Sequence, residues 1–113
     1  MHEYSLIQSM FDQIHETVRA HHAQAVRRVK VRIGQSAGVE IELFRTAYDT
    51  FRAGTLCADA PMDIEEVPVR WECPEGHGDI VPGLALRCPV CGGPARLTSG
   101  DEIILERLEL EVA

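Results

Sequence analysis

The sequence predicts an α+β fold: two helices on a three-stranded sheet, with a zinc-ribbon-like lobe inserted between the second and third strands. Three observations lead there. Helical and strand periodicities alternate as α-β-α-β from Ser5 to Val69. Three of the four cysteines then fall between Trp71 and Leu97, each beside Pro or Gly. Strand alternation returns from Asp101 to Val112. The expected division is one α/β domain from residues 1–70 and 101–113, and a metal-stapled domain at 71–100.

The first helix is predicted over Ser5 to about His22. Leu6, Ile7, Met10, Phe11, Ile14 and Val18 recur every three or four positions, with Gln8, Asp12, Gln13, Glu16 and Arg19 opposite. Ser5 is the expected cap, with Gln8 three residues on. His21 and His22 read as a solvated helix end. In the next segment Val29, Val31 and Ile33 alternate with Arg28, Lys30 and Arg32, a half-buried strand with a basic outer face. Gly34 to Gly38 is a turn. A second helix runs from Val39 to about Arg52, with Ile41, Phe44, Tyr48 and Phe51 on one side and Gly54 as its stop. A second strand begins at Met62-Asp63-Ile64-Glu65, and Pro68 confines it to an edge or a bulge. In the last segment Leu108, Leu110 and Val112 alternate with Arg107, Glu109 and Glu111. Its acidic face is expected to pair with the basic strand, since opposite charges across a sheet attract.

The 113 residues carry 45% apolar and 26% charged side chains, a globular composition for one domain and a small lobe. A net charge of −7 argues against a nucleic-acid partner. No apolar run approaches the roughly 20 residues that span a bilayer. The start carries Glu3 and Asp12 and no basic stretch, so it does not read as a signal peptide. Paired thiols without an export signal point to a reducing cytoplasm and to metal ligation rather than disulfides.

The cysteine stretch reads Cys73-Pro74-Glu75-Gly76-His77, ten further residues, then Cys88-Pro89-Val90-Cys91-Gly92-Gly93. A Cys-x-x-Cys turn followed by glycines aims both sulfurs at one ion and lets backbone amides approach the thiolates. Cys73 and His77 supply a second pair at a spacing that closes a tetrahedral Cys3His site. The candidate zinc ligands are therefore Cys73, His77, Cys88 and Cys91, with water or a carboxylate such as Asp79 as alternatives to His77. Four protein ligands leave no open position for substrate, so the site reads as structural. Cys57 has no partner at ligand spacing and reads as a small, half-buried apolar residue.

A second chemical site lies at the start. His2 is large, so Met1 is expected to stay. A histidine beside a free amino end offers the α-amine, its own amide nitrogen and its imidazole as adjoining chelate rings, and the Glu3 amide adds a fourth nitrogen. Such a nearly planar nitrogen set suits Ni(II) or Cu(II) rather than Zn(II). The Glu3 carboxylate is available to accept a hydrogen bond or to hold the imidazole. The competing reading is a frayed terminus of no consequence.

Met1-His2-Glu3-x-Ser5-Leu6 resembles the N-terminal signature of the HypA/HybF hydrogenase-maturation nickel metallochaperones, and Cys88-Pro89-x-Cys91-Gly92 is similar to their second zinc pair. The resemblance covers the whole chain. It implies Ni(II) held by the Met1 amine, the His2 backbone and side chain and the Glu3 backbone amide, in the domain formed by 1–70 and 101–113. It implies a structural Zn(II) lobe. It also implies nickel delivery to the large subunit of a [NiFe] hydrogenase with an accessory GTPase; some members serve urease. The chain departs from the family at one place: Gly76-His77 stands where the second cysteine of the first pair is usual.

Three functions follow for comparison. The first is a cytoplasmic nickel metallochaperone, a monomer or weak homodimer that is not an enzyme. The second is a zinc-ribbon module for protein–protein interaction without nickel transfer. The third, a zinc hydrolase or thiol-redox protein, ranks last. The helical His15-Glu16 pair lacks a second histidine, since Arg19 stands four residues after His15.

Overall fold

Strand β1 (Ala23–Gly34) is flanked on both sides, and the larger half of the molecule is built around it. The computed structural model describes residues 3–81 and 86–113. Before β1 comes helix α1 (Glu3–Ala20); after it come α2 (Ile41–Arg52) and β2 (Met62–Val67). The chain then forms β3 (Arg70–Glu72), β4 (Asp79–Ile80), β5 (Arg96–Ser99) and the long β6 (Ile103–Val112). One sheet has the order β2-β1-β6, the other β4-β3-β5.

Helix α2 is the crossover that lets β2 lie parallel to β1, from Val29 opposite Met62 to Gly34 opposite Val67. Strand β6 runs antiparallel along the whole of β1, from Ala23 opposite Val112 to Ile33 opposite Ile103. The expected basic–acidic pairing is present: Arg28 lies opposite Glu109, and Lys30 reaches Glu106 at 3.2 Å. Arg28 also meets Asp63 at 2.8 Å and Lys30 meets Glu65 at 3.4 Å, so the face away from the helices is a ladder of ion pairs. β1 is longer than its alternating core predicts, because Ala23, Ala25 and Val26 pair with the far end of β6.

The other face of this sheet is buried beneath both helices. Val26, Val29, Val31 and Ile33 meet Ile7, Met10, Phe11, Ile14 and Val18 of α1 and Phe44, Ala47 and Tyr48 of α2. The Phe11 ring stacks on Tyr48 with centroids 5.9 Å apart, and Phe51 lies 6.1 Å from Phe11. The Tyr48 hydroxyl donates to the Ala60 carbonyl at 2.7 Å, and Arg52 donates to the same oxygen at 2.7 Å. Cys57 is fully buried rather than half-buried, and burial pushes its thiol up, as suits an inert core residue.

Two expectations for α1 are corrected. The helix begins at Glu3, so Ser5 lies inside its first turn and is no cap. An acidic residue there complements the helix dipole, a signal that competes with serine capping. The helix also ends at Ala20, and His21 and His22 form the turn into β1, with His22 at φ 52°.

The cysteine stretch carries more regular structure than the sequence discloses. Three short antiparallel strands hold it, with Trp71 opposite Ile80 on one side and Leu97 on the other. Its two connections to the larger sheet cross where backbone touches backbone. A Cβ added at Gly34 would lie 2.1 Å from the Gly100 carbonyl carbon, and one at Gly100 would lie 2.7 Å from Val69 Cα. The β1–α2 turn clamps both connections. Ser36 donates from its amide to the Gly100 carbonyl at 2.7 Å, and the Val69 amide donates to the Gln35 side-chain oxygen at 3.0 Å. The two sheets lie in a molecule that measures 57 × 28 × 17 Å.

Candidate metal centres

In the smaller lobe four donors converge: Cys73, His77, Cys88 and Cys91, with all ligand atoms within 4.8 Å of one another. Each comes from a tight turn. Cys73 ends the β3 side, where its amide donates to the Gly78 carbonyl at 3.1 Å and its carbonyl accepts from the Gly76 amide at 3.0 Å. Gly76 and Gly78 hold φ 88° and 97°, values that bring His77 back over Cys73 and that favour glycine. On the other side Cys88 accepts from the Gly92 amide at 2.8 Å through its carbonyl, closing the Cys-Pro-Val-Cys turn.

The distances fit a tetrahedral ion. Metal–sulfur bonds of about 2.3 Å and metal–nitrogen bonds of about 2.0–2.1 Å imply sulfur–sulfur separations near ~3.8 Å and sulfur–nitrogen separations near ~3.6 Å. Cys73 Sγ lies 3.7 Å from Cys91 Sγ, and His77 Nδ1 lies 3.4 Å from Cys73 Sγ and 3.5 Å from Cys88 Sγ. The imidazole thus faces the sulfurs through Nδ1. Amides also point at the sulfurs: Val90 at 3.3 Å from Cys88 Sγ and Gly93 at 3.4 Å from Cys91 Sγ. The Cys91 amide, against the effect of burial and with help from the Val90 amide and His77, draws the Cys88 thiol down to about 6. The Gly93 amide acts in the same sense on Cys91, but sharing with Cys73 and Cys88 and burial leave that thiol raised. One sulfur is therefore readily a thiolate before any ion arrives, which is how a thiolate-rich site attracts Zn(II).

Asp79, the carboxylate alternative, is committed elsewhere. Both its oxygens accept from Arg70 at 2.8 Å, which ties β4 to β3 and raises the Arg70 pKa. The sequence alone does not disclose that ion pair, because only strand pairing brings the two side chains together.

At the start of the chain, Met1 and His2 lie outside the described residues. Glu3 is the first residue of α1 and is buried, with 5% of its surface exposed. Its carboxylate accepts a hydrogen bond from the Glu40 backbone amide at 3.1 Å. Glu40 is the N-cap of α2 and makes no side-chain cap bond, so Glu3 supplies an anion at that helix start from a distant part of the chain. Accepting a hydrogen bond is one of the two roles expected of Glu3, and its donor is not legible in the sequence, since the two residues are 37 positions apart.

A closed Cys/His knuckle on a small α+β body defines a metal-binding protein with a structural site. Comparison with known proteins identifies the kind. Residues 1–110 match the family described as "Hydrogenase/urease nickel incorporation, metallochaperone, hypA". The hydrogenase maturation factor HypA of Desulfitobacterium hafniense is 39% identical over 113 residues, covering 98% of this chain and 99% of that one. That of Aquifex aeolicus is 35% identical over 114 residues, covering 99% of each. The solution structure of the Ni metallochaperone HypA from Helicobacter pylori matches with a TM-score of 0.74 at 32% identity over 100% of both chains. A second solution structure of a HypA protein matches with a TM-score of 0.79 at 31% identity, over 100% of this chain and 98% of that one. The chain belongs to the HypA family: it is a nickel metallochaperone of hydrogenase maturation, with a four-residue cluster that fits structural zinc.

Proposed function

We propose that this chain binds Ni(II) through the Met1 α-amine, the His2 amide and imidazole and the Glu3 amide, and holds Zn(II) through Cys73, His77 Nδ1, Cys88 and Cys91. The observation that carries the nickel assignment is that α1 starts at Glu3. The first residue of a helix contributes no amide to the i→i−4 ladder, so deprotonating the Glu3 amide for metal breaks no helical hydrogen bond. The negative charge that develops on the nitrogen sits at the positive end of the helix dipole. The Glu3 carboxylate, bonded to Glu40, fixes this residue to the body of the protein and so orients the donors.

In this reading the larger sheet and its helices, residues 1–70 and 101–113, form the nickel domain, and residues 71–100 form the zinc domain. Nickel passes by ligand exchange to the large subunit of a [NiFe] hydrogenase, with an accessory GTPase, in the cytoplasm. The chain performs no covalent chemistry. A terminal site suits transfer, because an acceptor reaches the ion from outside. No helix among the described residues is long and apolar enough to cross a membrane.

The test is a single added residue before Met1, which moves the α-amine out of chelating position. Nickel binding by calorimetry is expected to disappear, while zinc stays at one equivalent and hydrogenase maturation fails. Tight Ni(II) binding by the extended protein would overturn the assignment.

A further inference from the structure

Strand β2 is an outer strand of the larger sheet, and among the described residues no strand pairs with its far edge. An unpaired edge is a template for another chain. The groups it offers follow from its pairing with β1. The Val29 amide donates to the Pro61 carbonyl at 3.1 Å and the Gln35 amide to the Val67 carbonyl at 2.9 Å, in a parallel register that sets Val29 opposite Met62 and Ile33 opposite Glu66. Successive residues of a strand direct their amides and carbonyls to opposite sides. Asp63 and Glu65 therefore turn theirs toward β1, and Met62, Ile64 and Glu66 turn theirs to the free edge. The Met62 carbonyl is already taken by Arg45 at 3.2 Å. Pro61 and Pro68 bound the stretch and have no amide to give. The open edge is thus short and centred on the amides and carbonyls of Ile64 and Glu66.

We propose that this edge receives a strand of a partner protein that runs antiparallel to β2 and carries the pattern basic, basic, apolar, basic. The outer face of the sheet holds its charge in rows. Lys30 of β1 lies between Glu65 at 3.4 Å and Glu106 at 3.2 Å, with an acid on either side. The acids of β2 meet cations on one side only, Arg28 for Asp63 and Lys30 and Arg32 for Glu65. Both side chains are still half exposed. Glu66, on the helix side, is exposed and has no ion-pair partner among the described residues. In antiparallel pairing the partner residue opposite Ile64 exchanges both backbone bonds with it. The residue after it then lies opposite Asp63, and the two before it lie opposite Glu65 and Glu66. Basic side chains at those three places and an aliphatic one against Ile64 join opposite charges and apolar surface.

The same acids exclude this chain's own β2. A twofold axis at Ile64 sets Asp63 against Glu65, and an axis at Asp63, Glu65 or Glu66 sets that residue against itself; each opposes like charges. The net charge of −7 acts in the same direction, repelling acidic strands and drawing in cationic ones. A one-residue slip of the partner sets its apolar residue against Asp63 or Glu65, so the charge pattern also fixes the register. The contact is a few backbone bonds and three charge pairs, so it lies at the small end of protein interfaces and is weak and transient. It uses no metal-binding residue and is independent of the assignment of Ni(II) to the chain start.

The test is an NMR titration of the full-length, zinc-loaded protein with the blocked peptide Thr-Lys-Lys-Val-Lys-Thr at low salt. Saturable shifts of the Ile64 and Glu66 amides are expected, weakening as salt is added. The same peptide with glutamate for every lysine is expected to leave them unmoved. Glu66→Lys turns one attraction into a repulsion and is expected to weaken binding about fivefold. Glutamate in place of the first lysine of the peptide restores binding to that variant. Ile64→Pro removes an amide from the free edge without removing one from the ladder to β1, and abolishes binding. Circular dichroism reports that each variant is folded, and the charge swap carries the test should Ile64→Pro unfold the sheet. The absence of saturable shifts at these amides overturns the proposal. Binding indifferent to Glu66→Lys overturns it as well, since it marks only the general attraction of a cationic peptide to an acidic protein.

Discussion

The Glu3 carboxylate and the Glu40 amide, 3.1 Å apart, join the first turn of α1 to the cap of α2. The first residue of α1, a donor in the proposed nickel site, is thus anchored to the second helix by its side chain. Glu3→Ala is expected to keep all four nitrogen donors and yet weaken nickel binding about tenfold, as loss of an orienting partner does. It is also expected to lower the melting temperature. Calorimetric titration with Ni(II) and a thermal melt of the same sample check both; an unchanged nickel affinity would show that the anchor has no bearing on the site.

His77 supplies the one nitrogen among the four converging donors, and two substitutions there have opposite outcomes. His77→Cys supplies a fourth thiolate at a position whose backbone already turns toward Cys73, and is expected to keep zinc at one equivalent. His77→Ala leaves three sulfurs and is expected to lose more zinc affinity than the roughly 10–100-fold that an outer partner contributes. It also loosens the lobe, because the ion is coupled to folding. Competition with a chromogenic chelator ranks the three proteins, and equal affinity for wild type and His77→Ala would remove His77 from the ligand set.

Among the described glycines, Gly34 is the one where an added Cβ would press closest on backbone, that of Gly100. A methyl group at Gly34 would press on the Gly100 carbonyl at 2.1 Å, and backbone, unlike a side chain, has no rotamer by which to yield. Gly34→Ala is expected to cost at least about 3 kcal/mol in urea unfolding, at the upper end of overpacking effects. A cost below ~1 kcal/mol would mean that the two connections separate easily.

Tyr48→Phe offers a contrast in the core. It removes the hydroxyl bonded to the Ala60 carbonyl, but Arg52 still donates to that oxygen at 2.7 Å. The expected loss is about 1 kcal/mol, that of one neutral hydrogen bond without an orphaned acceptor. Combining it with Arg52→Ala is expected to cost more than the two single changes together, because only then does the carbonyl lose both donors.

Much of this was legible in the order of residues. The valines of β1 and the leucines of β6 alternate because one face is buried beneath helices and the other is not, so their periodicity discloses both the strands and the pairing. The Cys88–Cys91 turn was equally plain, since its glycines and proline are dictated locally. What was hidden depends on distant partners. The three short strands of the metal lobe have too few residues to show a period. The Glu40 donor and the Arg70–Asp79 clamp exist only once the chain has folded. Ser5 carries a local capping signal, yet α1 already includes Glu3, whose side chain meets the Glu40 amide, a contact that no local pattern discloses.

An imidazole in place of a fourth thiolate changes the electron accounting of the metal lobe. The sulfur set is odd, so oxidation of two cysteines to a bridge strands the third and ejects the ion in one event. Peroxide, reduced to water as it joins two of the sulfurs, leaves the third to oxidise alone toward sulfenic and sulfinic acid, which distinguishes this lobe from a site built of two sulfur pairs.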